Sequence, residues 1–230
     1  MLQNHEIEVV VFDVLGTMVD EPDGLRAAIR DALPAATDGS VDQLLSMWQA
    51  HVEREQRHIA EGSRSFVDAD VIDREAAGLV ADAAGLLDPT VIERLATAEQ
   101  RLEPWDDSVA GLARVARRFP VLGLSNATGA SLLRLNAHAG LRWHHVLSAQ
   151  DAGAYKPAAE VYQLAVDAAG CSPNRILMVA AHAWDLRGAQ AVGMRTAYVQ
   201  RPVGDPPIAG DTFDGQFDGL DALAGALEAG

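Results

Sequence analysis

Two aspartates, a lysine, a serine–asparagine pair and a threonine stand at or just beyond the ends of short apolar runs in this chain. Asp13 and Thr17 follow Val9-Val10-Val11-Phe12, Ser125-Asn126 follows Val121–Leu124, Lys156 lies in Tyr155-Lys156-Pro157, and Asp185 comes shortly after Ile176–Val179. An apolar, β-branched run that ends in a carboxylate has the form of a buried strand presenting one reactive group. Taken alone, Asp13 reads more simply as the cap of the turn at Gly16. Taken together, two carboxylates, a lysine and a hydroxyl in one small space are the equipment of a reaction site.

A parallel sheet is what would bring them together. From Pro104 onward, strand and helix patterns alternate: helices over Ser108–Arg118, Gly129–Ala139, Pro157–Ala169 and Trp184–Val192, strands over Val121–Leu124, His145–Leu147, Ile176–Val179 and Thr196–Val199. Such alternation predicts right-handed βαβ units, a Rossmann-like parallel sheet with helices on both faces. In open sheets of this kind, ligands bind at the carboxyl ends of the strands. The first strand, residues 7–12, has no partner close by in sequence and joins the same sheet. Residues 1–18 and 104–230 then form an α/β core, and 19–103 an inserted cap.

The cap reads as four helices with no strand, a helical bundle. They are Asp23–Leu33 stopped near Pro34, Val41–Glu61 capped by Ser40 and stopped by Gly62, Val67–Ala84 before Gly85, and a fourth from the Asp88-Pro89 start to about Leu102. The tail 202–219, rich in Pro, Gly and Asp, predicts a loop with one short strand near Gln216-Phe217, before a closing helix over Leu220–Glu228.

Composition excludes several classes. With 230 residues, 49% of them hydrophobic, there is material for a sizeable core. A formal charge of −15 argues against nucleic-acid binding, which needs a basic face to displace counterions. An anionic substrate would need specific donors to offset that charge. Cys171 is the single cysteine, so no intramolecular disulfide forms and a reducing compartment is expected. Met1–Glu6 lacks the form of a signal peptide and no run reaches membrane-spanning length, which predicts a cytoplasmic protein without a membrane partner.

The set Asp13-Val14-Leu15-Gly16-Thr17, Leu124-Ser125-Asn126, Lys156-Pro157 and Trp184-Asp185 resembles, in order and spacing over about residues 7–200, the four motifs of the haloacid dehalogenase-like superfamily. The inserted helices resemble its cap. Phosphatases of the superfamily carry a second aspartate two residues after the nucleophile and a Gly-Asp pair before the last motif; here those places hold Leu15 and Ala180-Ala181. Magnesium needs several oxygen ligands, so the departures predict a metal-free site without a cofactor. Leu15 with Trp184-Asp185 looks like the L-2-haloacid dehalogenase branch. A departing halide needs no proton, so the acid missing at Leu15 is tolerable for that chemistry.

The resemblance implies hydrolysis of a small 2-haloacid to a 2-hydroxy acid, with inversion at C2 and the S isomer as substrate, by a homodimeric enzyme. Asp13 would be the nucleophile, Lys156 would lie between Asp13 and Asp185 and neutralise both, and Asp185 would orient or deprotonate the hydrolytic water. Thr17 would orient Asp13. Ser125 and backbone N–H groups near Leu15 would bind the substrate carboxylate, with Asn126 donating to the halide and Tyr162 near the carboxylate. Trp184 would wall the pocket, and His182, where the branch often has asparagine, would hydrogen-bond to Asp185 or set a pH dependence. Each has a plainer reading: loop lysine, helix-cap threonine or aspartate, turn-forming Ser-Asn, core Tyr162 and Trp184. Gln49 follows Trp48 where the branch has a halide-binding arginine. The halide would then fall to Gln49 itself, to Arg54, His51 or Asn126, or the substrate differs. The alternatives are another metal-independent hydrolase of a small carboxylate, a magnesium phosphatase, and an inactive binding protein.

Overall fold

The computed structural model describes residues 6–229; Met1–His5 of the N-terminal stretch lie outside the described residues. The chain runs β1 Val9–Asp13, α1 Glu21–Ala32, α2 Asp38–Ala60, α3 Ala69–Ala84, α4 Pro89–Ala96, α5 Ser108–Val115, β2 Val121–Ser125, α6 Gly129–Ala139, β3 His145–Ser148, α7 Ala159–Ala169, β4 Ile176–Ala180, α8 Ala183–Ala191, β5 Arg195–Val199, β6 Gly215–Phe217 and α9 Leu220–Ala229. The six strands form one parallel sheet in the order β3-β2-β1-β4-β5-β6.

The first strand sits near the middle of the sheet because every residue of it is buried, which only a strand covered on both faces can satisfy. Side chains alternate across the pleat: Val10 and Phe12 join the apolar layer that includes α5, α6 and α9, while Val9 and Val11 join the layer with α7 and α8. Each such Val or Phe contributes about 1.5–3 kcal/mol on full burial. Pairing with β2 (Phe12 beside Gly123) and β4 (Phe12 beside Val179) brings the carboxyl end of β1 level with those of its neighbours.

Between β1 and α5 the chain makes four helices around a separate apolar core of Leu25, Ile29, Val41, Leu45, Trp48, Ala76, Ala77, Val80 and Leu95. The first and third of these helices start within a turn of where the sequence puts them, at Glu21 and Ala69 rather than Asp23 and Val67; the second and fourth differ further. The second helix starts at Asp38, capped by Thr37 rather than Ser40: Thr37 Oγ1 accepts from the Ser40 amide at 3.3 Å. The fourth ends at Ala96 and continues as a 3-10 turn over Ala98–Arg101, because the Thr97 hydroxyl donates back to the Glu93 and Arg94 carbonyls. This second core is fastened over the strand ends by Asp70 Oδ1, which accepts from the hydroxyls of Thr128 (3.0 Å) and Ser131 (2.9 Å), and by Tyr155 OH donating to Val67 O (2.9 Å). No helix among the described residues is long and apolar enough to cross a membrane.

Candidate active site

The turn after β1 delivers Asp13 upward and then returns sharply at Gly16, whose φ is +73°. A side chain there would also collide with His182, since an added Cβ would lie 2.5 Å from Nε2. Thr17, fully buried, donates its hydroxyl to Asp13 Oδ2 at 2.6 Å and accepts from the Ala181 amide at 2.9 Å. Lys156 Nζ donates to Asp13 Oδ1 at 2.9 Å and to Asp185 Oδ2 at 2.7 Å. Asp185 Oδ1 accepts from Tyr162 OH at 2.6 Å. The segments that follow β1, β3 and β4 therefore contribute to one buried chain of hydrogen bonds: Thr17, Asp13, Lys156, Asp185, Tyr162.

Burial by itself would lower the Lys156 ammonium, but the charges and hydrogen bonds of Asp13 and Asp185 more than offset it and hold the lysine cationic. Burial pushes the Asp185 carboxyl up, opposed by Lys156. The Tyr162 phenol is raised, by burial first and the Asp185 charge second, so it remains a donor.

A cavity of about 190 Å³ lies between the strand ends and the cap helices, lined on the sheet side by Asp13, Leu15, Ser125, Asn126, Lys156, His182, Trp184 and Asp205. Ser125 Oγ accepts from the Ala127 amide (3.2 Å), leaving its hydroxyl proton available. Asn126 Oδ1 accepts from the Lys156 amide (2.9 Å), leaving its NH₂ as donor. His182 Nδ1 lies 2.7 Å from Asp205 Oδ2, which also accepts from Trp184 Nε1 at 2.9 Å. Burial would lower the imidazole, but the Asp205 hydrogen bond and the charges of Asp13, Asp205 and Glu21 push it up to about 9.

The geometry corrects the expectations for Tyr162 and His182. Tyr162 does not reach the cavity; it is fully buried and holds Asp185 instead. Asp185 is fully buried behind the cavity wall, with Lys156 on Oδ2 and Tyr162 on Oδ1. His182 bonds to Asp205, not to Asp185.

Gln49 is exposed on a neighbouring groove that shares Glu21, His182 and Asp205 with the cavity but does not contain Asp13. His51 and Arg54 are likewise elsewhere, within a cluster in which His51 meets Glu75 (3.2 Å) and Arg54 (2.6 Å). Asp205, Glu21, Asp73 and Glu99 line the cavity without having been anticipated. Asp73 had a legible signal: it sits among Ile72, Ala76, Ala77 and Val80 on the buried stripe of α3, where a carboxylate is out of place.

A divalent cation does not fit these residues. Lys156 Nζ fills the space between the two carboxylates, and Leu15 and Ala181 offer no side-chain oxygen beside them.

Gly188 on α8 gives a test of the Tyr162 bond. A Cβ there would lie 2.4 Å from Tyr162 OH, so Gly188→Ala must displace the phenol from Asp185. Overpacking of this kind costs about 1–3 kcal/mol, against about 1 kcal/mol gained in helix propensity. The variant is expected to lose stability in urea titration, and the loss should vanish when Tyr162→Ala is made first.

Comparison with known proteins adds the following. A family model described as haloacid dehalogenase-like hydrolase matches residues 7–193. The (S)-2-haloacid dehalogenase of Pseudomonas sp. (strain YL) is 28% identical over 226 residues, 96% of this chain and 95% of that protein. Among solved structures, a defluorinating L-2-haloacid dehalogenase aligns with a TM-score of 0.88 at 28% identity, covering 96% of this chain and 95% of that one. Another L-2-haloacid dehalogenase aligns with a TM-score of 0.89 at 29% identity, covering 97% and 100%.

Proposed function

The chain belongs to the haloacid dehalogenase-like hydrolases, and on that premise we propose that it hydrolyses small 2-haloalkanoic acids to 2-hydroxy acids through an ester on Asp13. The observation that carries this reading is the buried Lys156 ammonium between Asp13 and Asp185, with Leu15 where a leaving-group acid would stand. A carboxylate so placed has a cation to hold it and no carboxylic acid two residues on to protonate a leaving group. That suits a leaving group that departs as an anion without protonation.

An Asp13 oxygen attacks the carbon bearing the halogen, the carbon–halogen bond breaks with its electron pair, and halide leaves. Water then adds to the Asp13 acyl carbon and the bond from that carbon to the alkyl oxygen breaks. One water proton goes to the alkyl oxygen, which leaves as the product hydroxyl, the other is released to solvent, and the oxygen gained by the Asp13 carboxylate comes from water. Thr17 Oγ1 and Lys156 Nζ hold the two Asp13 oxygens, and both strengthen as charge collects on the tetrahedral centre. Ser125 and Asn126 are the donors for the substrate carboxylate. Trp184 closes the wall and anchors Asp205. Residues 19–103 act as the cap that covers the substrate. The single cysteine accords with a cytoplasmic location, and the family resemblance with a homodimer.

With Gln49 outside the cavity, the cation that faces an incoming anion is His182. Its imidazole is raised to about 9, so the charged form prevails at neutral pH, and its contribution to stability is complete below the unfolded value near 6.5 and lost as pH rises through about 9. Halide release from (S)-2-chloropropionate is expected at pH 7–8, falling as pH passes about 9; in His182→Gln that alkaline limb should disappear. Absence of halide from chloro-, bromo- and fluoroacetate and from 2-chloropropionate across pH 6–10 would overturn the proposed reaction.

A further inference from the structure

The cap side of the cavity carries three carboxyl groups that the reaction steps leave unused. Glu21 opens α1, Asp73 lies on α3 and Glu99 lies in the turn after α4; all three line the space that also contains Asp13, Ser125 and Lys156. Among the described residues none of their carboxyl groups accepts a hydrogen bond or joins an ion pair. Asp73 is 6% exposed, so its carboxyl group has neither bulk water nor a protein partner, only the cavity it faces.

The three acids feel one another. Burial pushes Asp73 well above the ordinary carboxylate range, and the charges of Glu21 and Asp70 add to this; Glu99 is raised by burial and then by Asp73, Glu21 and Asp70. Apolar side chains of similar size would pack there without any such penalty. Stability therefore does not account for the wall, and contact with something that enters the cavity does.

The cavity's own cations answer this only in part. Lys156 is committed to Asp13 and Asp185; His182 is hydrogen-bonded to Asp205 and feels the charge of Glu21 without bonding to it; no arginine lines the space, and neither cation bonds to Asp73 or Glu99. A metal ion does not serve either, since among the described residues no three acids, histidines or cysteines are grouped so as to hold one. What complements acids spread over three cap segments is an organic cation with several N–H donors.

We propose that Asp73, with the charges of Glu21 and Glu99 beside it, receives an ammonium group at the far end of the substrate, making the preferred substrate a short 2-haloacid with an amino group on its carbon chain. The carboxylate end is held by Ser125 and Asn126 and the ammonium end by the cap wall, with the halogen-bearing carbon over Asp13. A cavity of about 190 Å³ restricts the chain to a few carbons. The inference rests on the proposed reaction for the halogen only; recognition of a cation by the wall is independent of which bond Asp13 breaks.

Unreactive analogues separate the two. In calorimetric titration of the intact protein, 4-aminobutanoate is expected to bind at least tenfold tighter than butanoate. Asp73→Asn combined with Glu99→Gln should bring the two ligands within about twofold, and because it removes unpaired buried acids it should leave melting temperature unchanged or higher. Equal affinities in the wild-type protein, a preference for butanoate, or no binding of 4-aminobutanoate at tens of millimolar would overturn the inference. Halide release completes the separation. Equal turnover of 2-chlorobutanoate and 2-chloro-4-aminobutanoate leaves the reaction standing and overturns the cation site, whereas tight 4-aminobutanoate binding with no halide from either supports the cation site and overturns the reaction.

Discussion

Asp13→Asn will lower halide release by on the order of 10⁴-fold or more while the protein stays folded. The amide has the same shape, but its NH₂ cannot accept, so one of the two bonds from Thr17 (2.6 Å) and Lys156 (2.9 Å) is lost, and the remaining carbonyl oxygen is a poor nucleophile. Stability should change little. Asp13, Lys156 and Asp185 together carry a net negative charge in a buried place; with asparagine the remaining Lys156–Asp185 pair, at 2.7 Å, is neutral overall. Single-turnover reaction in ¹⁸O-labelled water adds a second readout: the wild-type peptide containing Asp13 should gain label, and the variant should not. Halide release retained in Asp13→Asn would remove Asp13 from the role of nucleophile.

Lys156→Met attacks the same site from the other side and should cost more stability. Asp185 is completely buried, and removing its counter-charge leaves an unpaired carboxylate facing a second one; breaking such buried pairs costs about 3–5 kcal/mol. The pH dependence has a definite sign. Without the ammonium, the folded-state value of Asp185 moves further above its unfolded value, so the folded state binds the extra proton and stability falls as pH rises between the two. The gap between wild type and variant in urea midpoint is therefore expected to be small near pH 4 and full at pH 8. Adding Asp185→Asn should recover much of that stability at pH 8 and none of the halide release. A Lys156→Met protein as stable as wild type at pH 8 would contradict the ionic character assigned to this pair.

The sheet side of the site was legible because strands announce their ends. Five buried residues of β1 stop at Asp13, and β2 stops at Ser125, so parallel pairing alone brings those groups level. The cap side was less legible, because the direction of a helical side chain depends on how the helix docks. Trp48 is buried in the core of the cap helices, and on a helix the next residue is turned by about 100°, which carries Gln49 outward to a groove away from Asp13. Asp205 was hidden for another reason. It lies in a loop without periodicity and meets His182 and Trp184 only through folding, with Ala183 N donating to its carbonyl and its own amide donating to Ala181 O. Tyr162 was visible as an aromatic on an amphipathic helix, but nothing local indicated that its hydroxyl would meet Asp185.

The placement of the cap helices between β1 and β2 has a consequence for how such an enzyme can change. Asp13, Thr17, Lys156, Asp185 and Tyr162 are all encoded outside the helical insertion, whereas Glu21, Val52, Gln56, Ile72, Asp73 and Glu99 are all encoded within it. The groups proposed to break the bond, together with Ser125 and Asn126 proposed to hold the substrate carboxylate, are thus encoded apart from the cap residues that line the far side of the cavity. Mutations that accumulate in the inserted stretch can retune which molecule is admitted while the ammonium–carboxylate chain beneath remains intact, and recombination at two loop positions would exchange one selecting surface for another in a single event.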